Sequence, residues 1–171
     1  MAEYHDGEWG VPCHDDGPLF ERLMLEGFQA GLSWELILKR REGIRAAFDG
    51  WDARRVATYD ADDVARLMGD ARIIRNRLKV AAATKNAVAF LRLQEAHGTF
   101  DRYIWSFVGG APLDQPVPEA RGGVPAMTAA SDAMSRALKK QGFTFVGSTI
   151  CYAFMQSVGM VNDHLADCPA R

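Results

Sequence analysis

Apolar positions along this chain recur every three or four residues and seldom alternate, so the pattern predicts helices and almost no strand. Leu19, Phe20, Leu23, Met24, Gly27 and Phe28 share a helical face whose first turn admits Pro18 and whose end falls near Gly31. Ser33 is placed to cap a second helix through Trp34, Ile37, Leu38, Ile44 and Phe48, stopping before Gly50. Asp52 and Asp60 predict caps for two short helices, the later one carrying Val64 and Leu67 and ending at Gly69-Asp70. A tight connection through Ile73 and Ile74 leads into a long amphipathic helix from about Asn76 to His97, with Gly98 as its stop. Residues 61–97 therefore read as helix, hairpin, helix. Four prolines and four glycines between Gly109 and Pro125 predict a loop. Ser131 is expected to cap a helix that ends in Lys139 and Lys140 before Gly142, and Ser148 to Val158 forms the last one. The chain, residues 1–171, is expected to be one all-α domain.

Composition narrows the class. With 171 residues, 48% apolar and 25% charged, the chain can bury a real core, and its apolar runs fall well short of the roughly 20 residues of a membrane span. Glu3, His5, Asp6 and Glu8 at the start do not resemble a secretory signal, and three cysteines, Cys13, Cys151 and Cys168, argue against a disulfide scaffold. A cytoplasmic, monomeric, soluble protein is expected. The net charge of −2 conceals a local excess: between Val64 and Lys85 stand six basic residues, Arg66, Arg72, Arg75, Arg77, Lys79 and Lys85, against Asp70 alone.

Three groups of residues carry candidate chemistry. The hairpin around Asp70 to Ile74 turns just before a helix N-terminus flanked by Arg75 and Arg77, where free amides can accept a phosphate without reading sequence. An ordinary solvated helix pair is the plainer alternative. Glu26 lies among Leu25, Gly27 and Phe28, and a carboxylate in apolar company needs a partner. Arg22, four positions earlier on the helix, can be that partner; alternatively Glu26 faces a ligand, with Tyr4, Trp9 and Trp34 supplying flat π-faces for a cationic aromatic group. The third group joins the ends of the chain: His5 near the start, and His164 and Cys168, four apart, near the finish, are potential zinc ligands.

Several blocks together resemble the bacterial DNA-3-methyladenine glycosylases of type I, in the helix-hairpin-helix glycosylase superfamily. They are Tyr4-His5-Asp6-Gly7-Glu8-Trp9-Gly10-Val11-Pro12, Leu25-Glu26-Gly27 with Gln29-Ala30-Gly31-Leu32-Ser33-Trp34, Ile104-Trp105-Ser106-Phe107-Val108, Ser131-Asp132-Ala133, Phe145-Val146-Gly147 and Val161-Asn162-Asp163-His164. The likeness runs over nearly the whole chain. It implies an all-α helix-hairpin-helix glycosylase fold whose termini a zinc-type site joins. The activity implied is base excision: hydrolysis of the N-glycosidic bond of 3-methyladenine in alkylated double-stranded DNA, leaving an abasic site and cutting no strand. By the same resemblance Glu26 is the catalytic carboxylate that accepts hydrogen bonds from the adenine edge and balances its charge. Tyr4 and Trp34 stack on the base and Trp9 lines the pocket. Leu32 is the apolar wedge beside Gly31, and Gln29 reaches the opposite strand. Arg72 stands where a glycine is frequent in relatives, and with Arg75 and Arg77 it forms the phosphate grip.

The metal implied is one structural zinc on His5, His164 and Cys168. The family has a further cysteine upstream of the histidine, which this sequence starts too late to include. The fourth position is then expected to be taken by water or Cys13, or to be empty. Two other readings stand beside the glycosylase: a zinc-stabilised DNA-binding module without catalysis, and a zinc hydrolase acting on small nucleosides.

Overall fold

The computed structural model describes residues 1–171, the side chain of Arg121 excepted. It contains helices and no strand among the described residues. In chain order they are α1 (Ala2–Gly7), α2 (Asp16–Gln29), α3 (Trp34–Ala47), α4 (Ala53–Val56), α5 (Ala61–Gly69), α6 (Arg77–His97), α7 (Phe100–Trp105), α8 (Ala129–Lys140) and α9 (Ser148–Ser157). None is long and apolar enough to cross a membrane.

Capping chemistry explains most of the boundaries. Ser33 accepts from the Leu36 amide, Asp52 from Arg54 and Arg55, and Asp60 closes a reciprocal box with Asp63. One cap differs from expectation. Thr128 rather than Ser131 starts α8: its hydroxyl accepts from the Ser131 amide, while the Ser131 hydroxyl turns back to the Thr128 backbone and meets Ser148 Oγ at 2.8 Å. Ser131 thus sits inside the helix and ties α8 to α9. Helices α1 and α7 are six residues each, too short for the apolar period to announce them.

The centre of the fold is α2, which packs against α3, α6, α7 and α9. Leu23, Met24, Leu25, Glu26, Gly27 and Phe28 are buried in succession, so the second half of this helix has no solvent face. That placement is what encloses Glu26. Around it Phe20 meets Phe90, Phe28 meets Phe48, and Phe48 stacks on Trp51 at 4.5 Å.

Backbone contacts bring the two ends of the chain together. The Gly10 amide donates to Gln156 and the Cys13 amide to Val158 at the end of α9. Two glycines permit this approach. Gly159 (φ 72°) lies so close to Val11 and Pro12 that a Cβ would stand 2.4 Å from their backbone, and a Cβ on Gly10 (φ 78°) would press the His164 ring at 3.1 Å. An ion-pair network then fixes α1 to the body: Arg41 bridges Glu8 (2.8 Å) and the buried Glu21 (3.0 Å), and Arg45 joins Glu21 at 2.9 Å.

Candidate base-binding and metal site

A cavity of about 670 Å³ opens between α1, the end of α2, the start of α3 and the C-terminal segment. Tyr4, Trp9, Glu26, Gln29 and Trp34, all singled out from sequence, line it. The Tyr4 and Trp34 rings touch each other, centroids 5.4 Å apart and planes inclined at 57°, and form adjacent walls of the cavity. A space of this size admits a purine with room for part of its sugar.

Glu26 is 5% exposed, and among the described residues none hydrogen-bonds its carboxyl. Burial therefore acts unopposed and pushes its pKa up to about 8. The helical alternative is decided by geometry. Arg22 reaches the Ser157 carbonyl and the Glu8 carboxylate and leaves Glu26 without a cation. Burial, and next to it the charge of Glu26, also raises the Tyr4 pKa, so that hydroxyl stays protonated as a donor. The cavity thus offers one acid without a partner, one phenol and flat apolar walls.

Two further polar residues line the cavity that the sequence reading left out. Asp163 is buried and accepts from Gln115 (2.6 Å), Tyr152 (2.7 Å) and Gln156 (2.8 Å). Gln156 faces the cavity beside it. A glutamine directly after the apolar run from Cys151 to Met155 was the available signal. Asp163 stands next to His164, which drew notice as a candidate ligand, and a carboxylate in such a place is common on surfaces.

On the far wall, His5, His164 and Cys168 bring one ligand atom each to within 4.8 Å of one another. The second nitrogen of each histidine is engaged: His5 Nδ1 donates to Asp6 (2.7 Å) and His164 Nε2 to the Trp9 carbonyl (3.0 Å). Those bonds leave His5 Nε2 and His164 Nδ1 toward Cys168 Sγ, at 3.9 and 3.3 Å. A zinc ion fits such a donor set, in which an oxygen acceptor behind each imidazole fixes the tautomer that presents a lone pair to the metal. Cys13 is not in this group; it packs against the core, its amide on Val158 and its carbonyl on Trp105. Trp9 serves both walls, stacked on His5 and edge-on to His164 at 4.7 Å.

At the hairpin the expected residues divide. Arg75 and Arg77 are exposed. Arg72 is exposed too, but its guanidinium is paired with Asp70 at 2.7 Å and holds that carboxyl down at about 2. The Asn76 side chain caps the Leu78 and Lys79 amides, so those two donors of α6 are engaged within the protein and not free for a phosphate as expected. Arg40 on α3 anchors the turn through the Ala71 and Ile73 carbonyls. Leu32 is half-buried in a turn whose Gly31 has φ 78°, and Gln29 Nε2 donates to the Leu32 carbonyl at 2.5 Å.

Comparison with known proteins gives a consistent result. The family profile described as methyladenine glycosylase matches residues 1–171. DNA-3-methyladenine glycosylase of Haemophilus influenzae is 48% identical over 99% of this chain and 91% of its own length. DNA-3-methyladenine glycosylase 1 of Escherichia coli is 50% identical over 96% and 88%. A solved structure of a tyrosine-to-phenylalanine variant of 3-methyladenine DNA glycosylase I, in complex with 3-methyladenine, superimposes with a TM-score of 0.95 at 35% identity, covering 98% of this chain and 90% of that one.

Proposed function

The chain belongs to the methyladenine glycosylase family and removes 3-methyladenine from alkylated DNA in base-excision repair; on that premise we propose that Glu26, Tyr4 and Trp34 recognise the extruded base. Methylation at N3 leaves the purine positively charged and its bond to the sugar weak, so departure needs no strong general acid. Selecting the base is the harder part. Extrusion costs a few kcal/mol and costs least for a damaged nucleotide, and stacking on an aromatic face contributes roughly 1 to 3 kcal/mol per base.

The observation that carries the assignment is the buried Glu26 carboxyl with no protein cation beside it, inside an aromatic-walled cavity. In the empty cavity burial favours its protonated form. A cationic base supplies the missing partner, draws Glu26 into its ionised form and accepts its charge, whereas neutral adenine brings no charge to balance it. Tyr4 and Trp34 then present adjacent aromatic faces to the base, with Trp9 at the edge. Leu32 enters the gap left in the duplex. Arg75 and Arg77 hold the backbone, with Arg72 a weaker contributor because Asp70 already engages it. Lys79 directs its ammonium to the carbonyls of Phe28 and Ala30, which suits base removal without a lysine-dependent strand cut.

A zinc ion held by His5, His164 and Cys168 would brace α1 against the C-terminal segment and so keep Tyr4, the residue before His5, in the cavity wall. Its role there is structural. Cys13 lies outside this group, so of the expected fourth ligands water would be the one to complete it.

Release of free 3-methyladenine from methylated duplex DNA tests the proposal. The protein releases it, and Glu26→Gln slows release while leaving the affinity for undamaged duplex unchanged. Unaltered release by Glu26→Gln removes the carboxylate from the mechanism, and absence of release by the unaltered protein leaves the DNA-binding module.

A further inference from the structure

Lys79 is a buried ammonium that base recognition does not use. It lies in the first turn of α6 at 6% exposure and donates to the carbonyls of Phe28 (2.8 Å) and Ala30 (2.6 Å). Both acceptors belong to the end of α2, where the last carbonyls lack helical partners and carry the negative end of the helix dipole. Burying a charge is costly, and lysine is among the residues most seldom enclosed. The turn that follows α2 does not need it for closure. Leu32 N donates to the Gln29 carbonyl, Gln29 Nε2 donates back to the Leu32 carbonyl, and Gly31 supplies the left-handed residue.

What Lys79 adds is a link between elements. It grips backbone carbonyls on both sides of Gln29, so the turn carrying Leu32 is fixed to the helix that begins at the hairpin. Arg75 and Arg77 lie within four residues of it on that same helix start. Seven residues further along the same face, Asn86 makes a second attachment: its carbonyl oxygen accepts from the Thr144 amide at 2.8 Å and its amide donates to the Thr144 carbonyl at 3.0 Å. Helix α6 therefore holds the Leu32 turn at one point and the segment before α9 at another.

A wedge inserts efficiently only when its position relative to the gripped phosphates is set in advance. We propose that Lys79 is a positioning residue for base extrusion, locking the Leu32 turn to the phosphate-gripping hairpin so that backbone binding and wedge insertion share one rigid geometry. The inference rests on the assignment of Leu32 as the wedge. It predicts a defect confined to extrusion, with the base cavity unaffected.

Lys79→Met keeps the length of the side chain and removes the donors. Single-turnover release from a duplex carrying 3-methyladenine is expected to fall about tenfold or more. With the lesion opposite an abasic site, where extrusion is less costly, the loss should be under about threefold. Affinity for free 3-methyladenine, read by tryptophan fluorescence, should not change. Equal losses on the two duplexes, or a weakened free-base complex, overturn the proposal in favour of a general structural role. Should Lys79→Met not fold, Lys79→Gln, which keeps one donor, carries the same comparison of duplexes. Leu32→Ala separates the two premises. If Leu32→Ala leaves duplex release intact, the wedge assignment fails and the inference with it. If Leu32→Ala slows release and Lys79→Met slows it by the same further factor in both backgrounds, only the coupling through Lys79 fails.

Discussion

The base cavity and the hairpin treat charge in opposite ways. The cavity gathers residues from positions 1 to 168 around one carboxyl that is buried and has no protein partner. The hairpin is contiguous and lies largely in water, and its polar groups are mostly engaged with one another: Arg72 with Asp70, Asn76 with the α6 amides, Arg40 with the turn carbonyls. A buried acid without a protein partner discriminates between a cationic and a neutral base, because a low dielectric amplifies the difference. Exposed arginines attract any phosphate and are screened by salt. On the proposed assignment, selectivity for the lesion belongs to the cavity, and general affinity for DNA to the hairpin.

The largest expected effect comes from removing the acid. Hydrogen bonds to a charged group are worth roughly 1.5 to 3 kcal/mol, so Glu26→Gln should slow 3-methyladenine release by about 10- to 100-fold. Stability should move the other way. The folded protein binds the Glu26 proton more tightly than the unfolded chain, since its pKa rises from 4.5 to about 8, so stability of the unliganded protein falls as pH climbs through that window and levels off above it. Glu26→Gln should flatten this slope in urea titrations between pH 5 and pH 8.5, and a variant that keeps the slope would show that another group carries it.

Activity has a matching pH dependence, expected to be about tenfold per unit on its acid side. If, as proposed, the ionised carboxyl is the form that balances the lesion, kcat/KM for methylated duplex should rise with pH, bend near 8 and level off above it. In the complex the fixed charge on the base lowers that pKa, so kcat should reach its plateau at lower pH than kcat/KM. Coincident profiles would mean that Glu26 does not sense the base.

Much of the helical frame is legible from apolar spacing and from caps such as Ser33, Asp52 and Asp60, because these are local rules that the folded chain obeys. The enclosure of Glu26 is not local. Its own helix suggested Arg22 as partner, and only the packing of α9 and α1 shows that arginine taken by Ser157 and Glu8. Asp163 was missed because a carboxylate beside a candidate ligand looks in sequence like a surface one, and Gln156 although its apolar neighbours marked it. Thr128 escaped because Ser131, three residues on, has the same capping chemistry. The resemblance singled out residues of the cavity and the hairpin alike, but it did not indicate that Arg72 would be neutralised within its own turn.

A test of smaller effect bears on the wall that the cavity shares with the proposed zinc ligands. The Gly10, Cys13 and Arg41 contacts also hold the ends of the chain together, so loss of a zinc ion is expected to weaken the fold and not to abolish it. Chelation, or His164→Asn, should lower Tm by about 5 °C, the equivalent of roughly 2 kcal/mol in a domain of this size. Free-base affinity should weaken with it, because Tyr4 and Trp9 border His5 and His164. A loss of Tm with intact free-base binding would confine the metal to the termini.

The smallest effect is expected at the hairpin, and it sharpens the contrast most directly. Arg75 and Arg77 are exposed, so each contributes through counterion release and not through a dry contact. Arg75→Ala with Arg77→Ala should weaken binding to methylated and undamaged duplex by the same factor and reduce the salt slope by about one to two. Free-base affinity and the pH profile of release at saturating DNA should be untouched, since neither depends on phosphate. Adding Arg72→Ala should change the slope less than either of the other two, because Asp70 competes with phosphate for that guanidinium. A pair that alters lesion preference instead would transfer part of the discrimination to the hairpin and break the division of labour.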